Sequence, residues 1–68
     1  MSGTQYTMVV KTAQSIFNRT MDRSTAAQMA EAVVAEMAAN LADFIAAYNE
    51  TDIFELAELV ALDTVKAL

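Results

Sequence analysis

The chain has 68 residues, four Lys or Arg against nine Asp or Glu, a formal net charge of −5, and neither Cys nor His. That length supports one domain and excludes a disulfide staple, and a structural zinc site lacks its usual ligands. The acidic balance argues against direct binding to nucleic acid phosphates, while a single Gly, no Pro and 56% hydrophobic residues favour helices over turn-rich β structure.

The first apolar period runs over residues 4–21. Tyr6, Val9, Val10, Ala13, Ile16, Phe17 and Met21 fall on one helical face, with Lys11, Gln14, Ser15 and Asn18 opposite. Thr7, Val9, Val10 and Thr12 are β-branched, which weakens helix propensity and leaves a strand over residues 5–10 as the competing reading. Asp22-Arg23-Ser24-Thr25 then interrupts the pattern. Thr25 with Gln28 has capping-box spacing and Ser24 is an equally good cap, so a second helix is predicted over residues 25–48.

That second helix carries two surfaces. Ala30, Val33, Val34, Met37, Ala38, Leu41, Phe44, Ile45 and Tyr48 make a broad core face. Opposite lie Ala32, Ala35, Ala39, Ala42 and Ala46, where a solvated helix normally shows Lys, Glu or Gln. Ala35, Ala39, Ala42 and Ala46 repeat at four, three and four, a spacing that lets another helix approach closely. Helix propensity alone is the competing reason for alanine at those positions. Glu31 and Asp43 flank the line, and Arg19 and Arg23 are the bases that would offset them in a self-paired seam.

Asn49-Glu50-Thr51-Asp52 makes the next break, and Asp52 with Glu55 repeats the capping-box spacing ahead of a third helix over residues 53–67. Ile53, Phe54, Leu56, Ala57, Val60 and Ala61 face inward, yet Leu59 and Leu62 project among Glu55, Glu58 and Lys66. The expected fold is all-α, one domain over residues 1–68: a three-helix, hairpin-like bundle with a long central helix. At 1.5 Å per residue the middle helix would span about 36 Å against roughly 25 and 22 Å for its neighbours. Its surplus apolar surface is therefore expected to be completed by homodimerisation across a two-fold interface.

The chemistry of catalysis is sparse. Without His or Cys the commonest general base and the strongest nucleophile are missing, no Ser lies in a nucleophile-elbow context, and no Gly-rich loop is present to cradle phosphates. Glu55 with Glu58, and Glu36 with Asn40 and Asp43, share helical faces; such carboxylates serve acid/base work or hard cations in other settings, and here they read as a charged, solvated face. No enzyme, cofactor or metal is expected. The polar start Met1 to Thr7 lacks the pattern of a secretory signal, and Glu31, Glu36 and Asp43 disfavour a membrane span, so a cytoplasmic protein is expected.

What remains is interaction. Met21 and Met37 occupy core positions, whereas Met8 and Met29 sit off or at the edge of their stripes and are candidates for partner contact. With Ala35, Ala39, Ala42, Ala46, Leu59 and Leu62 they make up the expected partner or dimer interface. Charge is divided unevenly: residues 1–23 hold three bases and one acid, residues 24–68 one base and eight acids. Such polarity sets a dimer's register or selects a partner. In overall build, rather than by any motif, the chain is similar to the short cysteine-free proteins with which phages disable host machinery such as RNA polymerase or a defence nuclease. The resemblance implies an inhibitor or adaptor that binds a protein partner. Two alternatives are an acidic nucleic-acid mimic presenting Glu31, Asp43, Glu55 and Glu58 to a basic groove, and a structural subunit that assembles through complementary surfaces.

Overall fold

The computed structural model describes residues 1–68 as four helices: α1 (Gly3–Phe17), α2 (Arg23–Ala39), α3 (Leu41–Tyr48) and α4 (Ile53–Ala67). The all-α expectation holds, and the competing strand over residues 5–10 is helix. Its start shows why. Ser2 Oγ accepts from the Gln5 amide at 3.1 Å while Gln5 Oε1 accepts from the Ser2 amide at 3.0 Å, a reciprocal capping box two residues upstream of the expected start. Thr7 and Thr12 then donate their hydroxyls to the carbonyls of Gly3 and Met8, so these β-branched residues are accommodated within the helix.

The ends of α1 and α2 differ from the sequence reading. After Phe17 the amides of Arg19 and Thr20 bond the carbonyls of Ile16 and Phe17, at 3.2 and 3.1 Å, and the chain tightens into a turn instead of continuing to residue 21. Helix α2 starts at Arg23, preceded by an extended Asp22 (φ −68°, ψ 161°) whose side chain caps nothing. Ser24, Thr25 and Gln28 all lie inside it, so the expected box does not form.

The larger correction concerns the central helix. Residues 25–48 do not form one rod, because Asn40 leaves helical geometry (φ −130°, ψ 40°) and separates α2 from α3. Its amide is shared between the carbonyls of Glu36 and Met37, at 3.1 and 3.3 Å, and its Nδ2 donates to the Glu36 carbonyl at 3.2 Å. A side chain competing for the i−4 carbonyl is a recognised cause of helix interruption. The three predicted helices are thus four, and the surplus length inferred for the middle one does not exist.

Helix α4 begins as expected at Asp52, whose Oδ1 accepts from the amides of Phe54 and Glu55 at 2.9 and 3.4 Å. Glu55 does not close the reciprocal bond. Glu50 Oε2 takes the Asp52 amide instead, at 3.0 Å.

In the packed domain α1 lies against both α2 and α4, which touch each other little, so the first helix is the hub. Phe17, Met37, Leu56, Val9 and Val34 are the largest fully buried side chains, and Ala13, Ala26, Ala30, Ala57 and Ala61 let the helices approach closely. No polar or charged residue is buried. The Cα radius of gyration is 10.9 Å and the accessible surface 4176 Å². A single compact chain of this size is expected at about 11 Å and about 4,200 Å². The core therefore closes within one chain, and the extents of 30 × 26 × 16 Å describe a flattened slab.

Candidate functional site

The alanine line is exposed throughout: Ala32, Ala35 and Ala39 on the outside of α2, Ala42 and Ala46 on the outside of α3. The bend at Asn40 falls between Ala39 and Ala42, so the four-three-four run is divided over two helices and is not a straight seam. Ala27, Gln28, Glu31, Ala32 and Ala35 line an open hollow of about 540 Å³ along α2, made by short side chains on a single helix. Asp43 lies at the other end of the line, exposed like Glu31.

On α4, Leu59 and Leu62 are each 38% exposed, although Leu56, Ala57, Val60 and Ala61 of the same helix are buried. With Glu50, Glu55 and Glu58 these leucines line a second hollow, of about 290 Å³. Four carboxylates crowd the start of α4: Glu50, Asp52, Glu55 and Glu58. A hydrogen bond with Glu50 raises the Glu55 carboxyl above the usual Glu range, and repulsion from Glu50, Asp52 and Glu58 pushes the same way. The structure brings no three acids into a metal-ligand set.

The two methionines part company. Met8 is 52% exposed on α1, whereas Met29 is half-buried and packs against the core.

Sequence reasoning placed Leu41, Phe44, Ile45 and Tyr48 in the core. They do touch it, but α3 has no fully buried residue, and all four are half-buried. Phe44 and Tyr48 stack with ring centroids 6.3 Å apart and planes 4° from parallel, and with Asp43 and Ala47 they line a third hollow of about 200 Å³. Tyr48 Oη donates to Asp63 Oδ2 at 2.8 Å, tying α3 to α4. That bond, along with the desolvation and charge that accompany it, raises the Tyr48 phenol above its ordinary value. The i, i+4 spacing of Phe44 and Tyr48 announced their stack, but nothing local links Tyr48 to an acid fifteen residues away.

No helix is long and apolar enough to cross a membrane. No protein-family model matches the chain, and neither a curated protein nor a solved structure is significantly similar to it.

Proposed function

We propose that this chain is a non-enzymatic interaction module, a cytoplasmic protein that associates with itself and binds a larger protein complex so as to block or adapt it. A host RNA polymerase or a defence nuclease is the kind of target in view. The observation that carries this reading is α3: a helix with no fully buried residue, whose large apolar side chains only partly pack against the core beside it. The apolar area that α3 leaves uncovered is what partner contact would bury. The neighbouring Ala42 and Ala46 keep the approach to α3 open.

The test is site-specific photo-crosslinking in cells that contain the target machinery, with the reactive residue at Ala46 and, as a control, at Lys11 on α1. A discrete crosslinked product from Ala46 and none from Lys11 is the expected result. Equal, diffuse labelling from both positions would overturn the reading. The crowding of Glu50, Asp52, Glu55 and Glu58 favours the second reading, an acidic mimic in a basic groove. Salt separates the two, since screening shortens from about 10 Å at 0.1 M to about 3 Å at 1 M. An apolar contact survives that change and a charge mimic is released by it.

A further inference from the structure

We propose that two copies of this chain pair through the outward face of α4, antiparallel, about a two-fold axis passing between Leu59 and Leu62. The inference rests on the self-association in the reading above and specifies its surface. Four exposed residues form the face: Glu55, Leu59, Leu62 and Lys66. They recur at intervals of four, three and four. At 100° per residue they therefore occupy about 60° of arc, on the side away from buried Leu56, Ala57, Val60 and Ala61.

Their order is self-complementary. The midpoint of Leu59 and Leu62 is also the midpoint of Glu55 and Lys66. A two-fold rotation about that midpoint sets Leu59 over the partner's Leu62 and Glu55 over the partner's Lys66, and repeats both contacts by symmetry. Glu58 and Asp63 are centred on the same point but fall on opposite flanks of the face, so they do not meet. Asp63 is moreover engaged by Tyr48. Parallel pairing would instead oppose Glu55 to Glu55 and Lys66 to Lys66, so charge selects the antiparallel arrangement.

The hollow beside the leucines places Glu50 next to Glu55, giving the partner's Lys66 two carboxylates to approach. A cation there relieves the crowding that raises the Glu55 carboxyl. The alanine line offers a weaker complement, because the one base on α2 and α3 is Arg23, at the first residue of α2. One pair of 15-residue helices is a small interface, so the dimer dissociates on dilution.

Sedimentation velocity from micromolar to millimolar concentration tests the pairing, with far-UV circular dichroism confirming that each variant is folded. The 7.4 kDa wild-type chain is expected to rise towards twice its mass. Glu55→Lys and Lys66→Glu, each alone, set like charges opposite one another twice per dimer and weaken association about tenfold. An equimolar mixture of those two variants restores dimerisation, because each supplies the charge the other lacks. Leu62→Asp abolishes it. A wild-type chain that stays monomeric at millimolar concentration, or that assembles beyond a dimer, overturns the proposal together with the closed self-association. A dimer indifferent to the charge variants and to Leu62→Asp overturns this face alone and leaves self-association standing.

Discussion

Tyr48 does two things at once: its ring stacks on Phe44 within α3, and its hydroxyl reaches Asp63 on α4 at 2.8 Å. Tyr48→Phe keeps the stack and removes the bond. Because the bond is exposed, the loss expected in urea denaturation is at the low end for a hydrogen bond, about 0.5 kcal/mol at neutral pH. The phenol is raised when folded, so its contribution is fully present below the unfolded value near 10 and is lost as pH rises through the folded value. Stability measured against pH should therefore show wild type and Tyr48→Phe converging in strong alkali; a constant gap would contradict that coupling. The apolar half of this site was legible in the spacing of Phe44 and Tyr48. Its polar half was not, since Asp63 comes near only through the packing of α3 on α4.

At the scale of the element, two asparagines end helices by different means. Asn40 interrupts what its flanking residues would continue as one helix, by diverting its own side chain to the Glu36 carbonyl. Asn49 ends α3 in the left-handed conformation (φ 52°, ψ 45°), and the next amide, of Glu50, returns to the Ile45 carbonyl at 3.2 Å. This is a Schellman-type closure, in which Asn is tolerated, Gly is free of strain and a Cβ without a polar group is penalised. Asn49→Gly is expected to hold or raise the melting temperature. Asn49→Ala should cost about 1 kcal/mol, and the opposite order would mean that α3 ends by another geometry. The break at residues 49–52 was legible because it gathers cap residues. Asn40 was not, because a lone Asn inside an apolar period is compatible with continuing helix, and the backbone decides.

For the whole molecule, the hub role of α1 concentrates risk in a few side chains. Stability of a chain this short is expected at roughly 3–10 kcal/mol. Phe17 is fully buried at the end of α1, and its truncation to Ala removes about 3–5 kcal/mol. Phe17→Ala should accordingly lose most of the cooperative urea transition, whereas a midpoint close to wild type would show that α1 is not the centre of the core. The same compactness bears on association. Because the core closes within one chain, the pairing proposed through α4 would add a contact to a folded unit and would not be a condition of folding.

Composition and periodicity by themselves determined that this protein is helical, and which faces of α1, α2 and α4 turn inward. Those properties depend on neighbours three and four residues away, which one sequence displays. Leu59 and Leu62 could likewise be read as outward-facing, since the phase of α4 leaves them no place among the buried residues. Only the tertiary structure decided that the long apolar period is cut at Asn40, that α1 lies between α2 and α4, and that α3 contributes no fully buried residue. The last two depend on how whole helices share a limited core volume, which no local pattern contains, while the cut at Asn40 is a backbone choice that a lone Asn in an apolar period leaves open.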